Sequence, residues 1–265
     1  MCSVTVTVME RAFSGKQALV VGGTGGIGRA VALGLAERGA VVTITGGSSQ
    51  ERLEATLAKL EALNDAGKPE SAPVTHSGFL CQIGGPGGLT PEKAAAFILE
   101  KASTPDILVL AWGPFKRFLL QETPPEDWRY LIENNLIFPG IMISLAICDM
   151  INKGWGRILL FGGSNTAEIR GFSTTTAYGT AKTALGVLAK STARTAGKKG
   201  IPCNVVCPGL TDTEYVSAED RAYNQKKGPG GKALVPEEIA RFVLEVLENP
   251  VINGAIIPID GGLWI

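Results

Sequence analysis

Histidine and net charge are what this sequence most clearly lacks. It contains a single histidine, His76, which argues against a His-rich metal site and against a Ser-His-Asp hydrolase. Its 25 basic and 25 acidic residues cancel, so there is no basic excess to bind nucleic-acid phosphates or an anionic membrane surface. We therefore expect no metal, no nucleic-acid partner and no membrane partner, and we interpret His76, in a polar loop, as structural.

Paired cysteines and long uninterrupted apolar runs are also missing. The five cysteines are odd in number and scattered, which fits buried thiols in a reducing compartment better than a disulfide framework. The longest apolar stretch, residues 136–151, is interrupted by Pro139, Gly140 and Asp149 and is too short to span a bilayer. The N-terminus lacks a charged region followed by an apolar one, so we expect no secretory signal. These absences predict a cytoplasmic protein.

Apolar runs alternate with helical patterns along almost the whole chain. This alternation predicts one α/β domain over residues 1–265, a Rossmann-type, doubly wound parallel sheet of about seven strands with helices on both faces. The predicted strands cover residues 17–22, 41–45, 78–83, 107–111, 157–161, 203–207 and 255–259. The predicted helices cover residues 26–38, 50–64, 91–101, 125–152, 175–198 and 236–247.

Two segments fall outside this alternation. Residues 1–12 contain alternating valines and threonines, which fit either an extra edge strand or a disordered terminus. Residues 211–232 are irregular, charged and glycine-rich toward their end, and they follow a strand. Because ligands of open α/β sheets lie at the carboxyl ends of the strands, we interpret this segment as a lid over the substrate. The alternative is a surface loop without a role.

A glycine-rich turn joins the first predicted strand to the first helix. It reads Gly22-Gly23-Thr24-Gly25-Gly26-Ile27-Gly28, with the spacing Gly-x-x-x-Gly-x-Gly. Glycines here let backbone amides and the helix N-terminus approach a diphosphate without obstruction by side chains. The placement between strand and helix predicts dinucleotide binding rather than a merely tight turn.

The end of the second predicted strand bears on the choice of dinucleotide. An acidic residue about 20 positions beyond the glycine turn would bind the ribose diol of NAD. Here the segment 45–49 ends in Ser48-Ser49, and no acid occurs before Glu51. This leaves room for the 2′-phosphate of NADP, with Ser48 as its expected contact. NAD stays possible, because no arginine or lysine occupies the strand end.

A possible proton-transfer group follows the fifth predicted strand. Tyr178 and Lys182 are four residues apart and share one face of a predicted helix, and Ser164 precedes Tyr178 by fourteen residues. A nearby ammonium would favour the phenolate, so we expect the pKa of Tyr178 to lie below its usual value of roughly 10. The pair could then act as acid or base on a carbonyl. On its own the pair favours a coincidence on a helix surface, so the functional interpretation depends on the rest of the chain.

Taken together, the motifs resemble those of the short-chain dehydrogenase/reductase family, from Phe13 to Gly262. Length and motif order are most similar to the 3-oxoacyl-carrier-protein reductases and related carbonyl reductases. The points of resemblance are the turn 22–28, Asn135, Ser164, Tyr178 with Lys182, Pro208-Gly209 with Thr213, and the turn 260–262. Their occurrence in the family's order makes a coincidence at Tyr178 improbable.

The resemblance implies roles for four catalytic residues. Tyr178 would give its proton to the substrate carbonyl, and Lys182 would lower the phenol pKa and hold the nicotinamide ribose. Ser164 would donate a hydrogen bond to the developing oxyanion, and Asn135 would hold a water that links Lys182 to solvent. Gly163 directly precedes Ser164, so a slip of one residue would place glycine at the catalytic position. The implied cofactor-binding residues are Gly22, Thr24, Gly25, Gly26, Ile27, Gly28, Ser48, Gln82, Ile83, Ala111, Trp112, Gly113, Tyr178, Lys182, Pro208, Gly209, Thr211 and Thr213.

The chain departs from the family's pattern at three positions near the cofactor. Trp112 stands in Leu110-Ala111-Trp112-Gly113 where the family usually has Asn-Asn-Ala-Gly, Gln82 replaces an aspartate, and Val21 replaces a threonine. We predict an NADP(H)-dependent oxidoreductase that acts on a ketone or secondary alcohol. The alternative is a catalytically idle dinucleotide-binding sensor or assembly subunit, which the altered fourth-strand motif permits.

The helix predicted over residues 125–152 bears on assembly. Its apolar residues are spread around the helix, so packing on the sheet would cover only part of them. We expect a homodimer through this helix, with Ile143 facing outward, or a homotetramer that also uses residues 263–265. Loops of the same chain could cover the helix instead. Aromatic residues that are candidates for the substrate pocket, which predict an apolar or mixed ligand, are Trp112, Phe115, Phe172 and Tyr215.

Overall fold

A seven-stranded parallel sheet forms the centre of the protein. The computed structural model describes residues 11–65 and 74–263. The sheet order is β3-β2-β1-β4-β5-β6-β7, and every neighbouring pair is parallel. The strands are β1 (Gln17–Val21), β2 (Val41–Gly46), β3 (Ser77–Leu80), β4 (Ile107–Leu110), β5 (Arg157–Phe161), β6 (Cys203–Pro208) and β7 (Ile256–Ile259). The predicted fold class is confirmed.

Eight α-helices accompany the strands in the part of the chain that the structure describes. They are α1 (Gly26–Glu37), α2 (Gln50–Asp65), α3 (Pro91–Ala102), α4 (Pro125–Ile132), α5 (Phe138–Lys153), α6 (Thr176–Ala196), α7 (Ala218–Lys227) and α8 (Pro236–Glu248). Short 3₁₀ turns occur at Leu120–Glu122, Gly197–Lys199 and Pro229–Gly231. Local sequence explains several helix ends. Thr90 Oγ1, for example, accepts a hydrogen bond from Lys93 N–H at the start of α3, and Gly154 ends α5 in a left-handed conformation.

Hydrophobic side chains cover the sheet on both faces. Along β1, Ala18 and Val20 pack into one cluster with helices α1, α2 and α8, whereas Leu19 and Val21 pack into the opposite cluster with α3, α5 and α6. Alternate residues of a strand point to opposite faces, so a central strand with helices on both sides must be apolar throughout. This explains why β4 and β5 are continuous apolar runs apart from Arg157.

The structure differs from the predicted elements at two places. The third strand ends at Leu80 rather than Ile83, because the glycine-rich segment after it turns back and pairs Ile83 with Leu89. The predicted lid is not wholly irregular, since it contains helix α7, whose N-terminus is capped by Ser217 Oγ accepting from Asp220 N–H at 3.0 Å. The Ser-x-x-Asp pattern of a helix start was present in the sequence.

One long helix runs from Pro125 to Lys153 through a π-helical turn at Glu133–Ile137. Among the described residues it is the one helix that is long and apolar enough to cross a membrane. It is longer than the apolar stretch 136–151 of the sequence, which alone is too short to span a bilayer. Phe138, Met142 and Met150 are buried in the core cluster beneath the sheet. Packing against the core therefore accounts for the apolar residues on this face of the helix.

Ile143 corrects the predicted orientation of this helix. It is 3% exposed and belongs to the core, whereas Ile137 and Leu145 are 42% and 51% exposed. Sequence could not orient the helix, because apolar residues surround it on all sides. The predicted N-terminal strand within residues 1–12 and the contact by residues 264–265 lie largely outside the described residues.

His76 and three of the cysteines are buried in this fold. His76 is buried, and its Nδ1 accepts a hydrogen bond from Val42 N–H at 3.1 Å, while burial lowers its pKa. Of the four described cysteines, all are free thiols, and Cys81, Cys203 and Cys207 are buried. Burial raises the pKa of Cys81 to about 11 and that of Cys203 to about 12, so these thiols stay protonated and unreactive.

Candidate active site

Two adjoining cavities open at the carboxyl ends of β1, β4, β5 and β6. The first, of about 540 Å³, is lined by the glycine turn 22–28, residues 47–49 after β2 and residues 111–113 after β4. The second, of about 550 Å³, is lined by residues 161–165 after β5, residues 208–211 after β6 and part of the segment 211–224. Ile27, Ala111, Gly113, Tyr178 and Tyr215 line both. The first cavity lies where the strand order reverses between β1 and β4, the place where open α/β sheets bind nucleotides.

Close backbone approaches explain the glycine turn. Gly22 has φ of +84°, and a Cβ on it would lie 2.9 Å from Trp112 Cβ. A Cβ on Gly28 would overlap the carbonyl oxygen of Gly22. Gly22 N–H donates to Thr45 Oγ1 at 3.2 Å and so ties the turn to β2. Side chains at these positions would break the turn, and their absence leaves the amides at the start of α1 facing the first cavity.

The first turns of α6 bring Tyr178 and Lys182 to the boundary between the two cavities. Lys182 Nζ donates a hydrogen bond to the Phe161 carbonyl at 2.9 Å, at the end of β5, and lies 5.9 Å from the centre of the Tyr178 ring. The Phe115 ring meets the Tyr178 ring edge-on, with 4.9 Å between the centroids. The phenol is thus held between a rigid strand end and an aromatic wall of the second cavity.

Burial, and not Lys182, dominates the ionisation of Tyr178. Desolvation raises the pKa of Tyr178, with a smaller contribution from Cys207, and it lowers the pKa of Lys182 to about 8. The expectation that Lys182 lowers the phenol pKa is therefore wrong for the protein without cofactor. In a buried site, removing water from a phenolate and from an ammonium costs more free energy than the attraction between the two charges provides. Tyr178 is accordingly a neutral phenol, which is the form that can donate a proton.

Asn135 reaches the same place from the π-helical turn. Its Nδ2 donates to the Pro114 carbonyl at 2.9 Å, and its buried Oδ1 has no hydrogen-bond partner among the described residues. A Cβ on Gly113 would overlap Asn135 Oδ1 and lie 3.0 Å from Lys182 Nζ. Because Gly113 has no side chain, the Asn135 amide and the Lys182 ammonium face one another where its Cβ would otherwise lie. π-Helical turns often occur at functional sites, as here.

Gly163 is the residue whose backbone lies against the Tyr178 phenol. A Cβ on Gly163 would lie 2.7 Å from Tyr178 Cε1 and 2.8 Å from its hydroxyl oxygen. Ser164 follows it and lines the second cavity together with Tyr178. The structure thus places both neighbours at the site, with glycine in contact with the ring and serine beside it.

Most of the residues implied for cofactor binding line one of the two cavities. Gln82 and Ile83 are not in the described walls of either; Gln82 Nε2 donates to the Pro86 carbonyl at 3.1 Å, and Ile83 is buried. Arg52, which sequence reasoning missed, lines the first cavity with Ser48 and lies 5.0 Å from the centre of the Tyr215 ring. Nothing in the sequence pointed to Arg52, because it lies beyond the strand end at residues 45–49, in the first turn of α2.

A second missed residue, Arg117, joins the wall of the second cavity to the predicted lid. Its guanidinium pairs with Asp220 of α7 at 2.7 Å and lies 5.2 Å from the centre of the Phe115 ring. Two backbone hydrogen bonds join the two ends of this segment. Asp212 N–H donates to the Leu234 carbonyl at 2.8 Å, and Leu234 N–H donates to the Leu210 carbonyl at 2.9 Å. Residues 211–232 thus form an excursion between β6 and α8, and part of it lines the two cavities.

Comparisons with known proteins give matches over almost the whole chain. A family model described as "Enoyl-(Acyl carrier protein) reductase" matches residues 22–264. The 3-oxoacyl-(acyl-carrier-protein) reductase of Escherichia coli (strain K12) is 31% identical over 258 residues, covering 96% of this chain and 99% of that protein. The L-rhamnose 1-dehydrogenase (NAD(P)(+)) of a Sphingomonas strain is 29% identical over 263 residues, covering 95% and 97%.

Solved structures give the same result for the fold. A 3-oxoacyl (acyl-carrier-protein) reductase from Agrobacterium tumefaciens C58, crystallised with NADP, superposes with a TM-score of 0.81 at 26% identity and covers 99% of this chain and all of that one. A short-chain dehydrogenase/reductase from Serratia marcescens gives a TM-score of 0.78 at 28% identity, covering 96% of this chain and 100% of that chain. The agreement extends over nearly the entire length of each chain.

Proposed function

The chain belongs to the short-chain dehydrogenase/reductase family of oxidoreductases, and from that premise we propose that it is an NADP(H)-dependent reductase of a ketone or the corresponding alcohol dehydrogenase. The observation that carries the proposal is that Tyr178 lies at the boundary between the two cavities and lines both, with Lys182 in the wall of the second cavity and Asn135 beside Lys182 at Gly113. A reaction between a nicotinamide and a carbonyl needs a proton donor at that boundary.

The residues of the first cavity fit a dinucleotide. Gly22, Gly26 and Gly28 place no side chain of their own over the amides at the start of α1, and the cavity extends from there past Ser48 to Tyr178. When bound there, NADPH supplies the hydride. Residues 22–28 would hold its diphosphate, Ser48 and Arg52 its 2′-phosphate, and Lys182 its nicotinamide ribose.

The chain's own residues would manage the proton. Tyr178, kept neutral by burial, donates its phenolic proton to the substrate carbonyl oxygen. Lys182, whose pKa is lowered to about 8, can exchange a proton near neutral pH and so return one toward Tyr178. Asn135 Oδ1 faces Lys182 across Gly113 and orients the polar route by which that proton is replaced. Phe115 and Phe172 in the second cavity exclude water and favour an apolar or mixed substrate.

The direct test is NADPH oxidation by the purified protein with a panel of ketones, 3-oxoacyl thioesters and, in the reverse direction with NADP⁺, aldoses. The panel includes the substrate classes for which the relatives described above are named. Turnover with any member supports the proposal. Tight NADPH binding without turnover across the panel would favour the alternative, a dinucleotide-binding sensor or assembly subunit, which the tryptophan at position 112 permits.

Ser164 is proposed to donate a hydrogen bond to the developing oxyanion. We expect Ser164→Ala to lower turnover on the order of 10²-fold, the usual cost of losing one such donor. The measurement is kcat with the best substrate of the panel, and Ser173→Ala, at an exposed position of the loop before α6, is the matched control. Unchanged turnover would show that Tyr178 works without a serine partner, as the contact with Gly163 allows.

Arg52 supports the choice of NADP over NAD. A guanidinium beside Ser48 can bind a 2′-phosphate in two hydrogen bonds, which NADH cannot use. We expect Arg52→Ala to weaken NADPH binding about tenfold and to leave NADH binding within about twofold. Fluorescence titration of both nucleotides measures this, with Lys59→Ala on the exposed face of α2 as control. Equal losses for the two nucleotides would contradict the assignment.

We also propose that the exposed face of α5 forms a homodimer, and that pairing of dimers gives a homotetramer. Ile137 and Leu145 are eight residues apart on the long helix and both are exposed, unlike Ile143. We expect Leu145→Asp to convert the assembly toward the monomer mass of 27.7 kDa in sedimentation at micromolar concentration, because it buries an unpaired charge. Val251→Asp, at another exposed apolar residue, should leave the mass unchanged. A monomeric wild type would refute the proposal.

A further inference from the structure

Glu214, six residues after the end of β6, reaches into the glycine turn. Its Oε2 accepts a hydrogen bond from Gly26 N–H at 3.0 Å, and its Oε1 pairs with the Arg29 guanidinium at 2.9 Å. Gly26 is the first residue of α1, where the partial positive charge of the helix favours an anion. The Gly26 amide, in the wall of the first cavity, and the Arg29 guanidinium near it are therefore already bound to a carboxylate of the same chain.

The neighbours of Glu214 fill the rest of this space. A Cβ on Gly25 would overlap the Tyr215 hydroxyl oxygen, so the phenol lies directly on the glycine turn. The Tyr215 ring also lies beneath Arg52, at 5.0 Å from its centre to Cζ. Thr213 Cγ2 lies 3.2 Å from where a Cβ of Gly26 would be. Residues 213–215 together cover the part of the first cavity that would receive the diphosphate.

The same segment is held at its other end. Asp220 pairs with Arg117 at 2.7 Å across the second cavity, and Arg221 pairs with Asp212 at 2.6 Å within the segment. These ion pairs are partly exposed and individually weak, so the segment can exchange them without disturbing the core. Tyr215 lines both cavities, which links its position over the glycine turn to the shape of the substrate cavity.

We propose that Glu214 is an internal substitute for the dinucleotide diphosphate, which closes the segment over the glycine turn and is displaced when the dinucleotide binds. A carboxylate and a diphosphate would both bind the Gly26 amide at the positive end of α1, and two anions cannot share it without repulsion. Glu214 therefore sets the affinity for the cofactor and couples its arrival to movement of Tyr215 in the substrate cavity. The inference rests on the proposed function and adds to it a residue that competes with the cofactor.

The test compares wild type with Glu214→Gln, which keeps the size of the side chain and removes its charge. NADPH and inorganic pyrophosphate are each titrated by calorimetry, and exchange of the Gly26 amide hydrogen is followed in the cofactor-free protein. We expect both ligands to bind Glu214→Gln about three- to tenfold more tightly, because the competing contact is a charge-assisted one in a half-exposed site. Gly26 N–H should exchange faster in the variant. Glu219→Gln, an exposed carboxylate of the same segment, is the control and should change neither.

Each other outcome has a definite meaning. If NADPH binds the wild type but binds Glu214→Gln equally or more weakly, displacement is overturned while the proposed function stands. If neither protein binds NADPH but pyrophosphate binds the variant more tightly, the proposed function fails and displacement by a diphosphate stands. Exchange of the wild-type Gly26 amide as fast as that of an unprotected amide would show that the contact does not form in solution, which overturns the inference. Absence of binding for both ligands refutes both.

Discussion

Replacing Tyr178 by phenylalanine is expected to lower turnover on the order of 10²- to 10⁴-fold, the range contributed by one general acid. The substitution removes the transferable proton and keeps the ring, whose edge-on contact with Phe115 and packing on Gly163 do not involve the hydroxyl as a donor. Dinucleotide affinity should therefore stay within about twofold of wild type. Steady-state kinetics with the best substrate of the panel and an NADPH titration measure the two quantities.

Tyr223→Phe is the matched control, because Tyr223 lines the same cavity but lies on α7, away from Lys182 and Asn135. It should keep turnover near that of wild type. If Tyr178→Phe retained turnover within threefold of wild type, Tyr178 would not be the proton donor. A large loss of NADPH affinity in Tyr178→Phe would instead mean that the hydroxyl serves the cofactor.

Replacing Lys182 by methionine is expected to damage both turnover and dinucleotide affinity, each by at least about tenfold, because one ammonium would serve the proton route and the nicotinamide ribose. Methionine keeps the apolar stem that packs in α6 and removes the charge that donates to the Phe161 carbonyl. Lys190→Met, at an exposed position of the same helix, is the control. A change in substrate affinity alone would contradict the proposed ribose contact.

Lys182 also predicts a dependence of stability on pH. Its pKa is about 8 in the folded protein and would be roughly 10.4 in the unfolded chain. Between these values the unfolded chain binds the proton and the folded protein does not, so this residue's contribution to the free energy of unfolding rises with pH from about 8 to about 10. Lys182→Met removes that contribution. The difference between the unfolding free energies of variant and wild type isolates the contribution of Lys182. The buried thiols, whose pKa is raised from a usual value of 9.0, make the unfolding free energy fall above pH 9, and they are present in both proteins.

The sequence was sufficient for the fold because the relevant patterns are local. Continuous apolar runs such as β4 and β5 can lie only in a sheet covered on both faces, and Gly22 to Gly28 can lie only between a strand and a helix that approach closely. All seven strands were predicted within three residues of their observed ends. Helix α7 was missed although Ser217 and Asp220 form a recognisable cap, because its surroundings are polar and carry no apolar period.

The sequence by itself determined the family, the sheet and the identity of Tyr178, Lys182 and Asn135 as candidates, because each depends on spacing along one strand, turn or helix. Only the tertiary structure decided which groups face one another. It buried Ile143, brought Asn135 to Lys182 across Gly113, placed Gly163 against the phenol and carried Glu214 to Gly26, 188 residues away in sequence. It also reversed the expected shift in the pKa of Tyr178, because desolvation depends on everything packed around a group, which spacing along the chain does not contain.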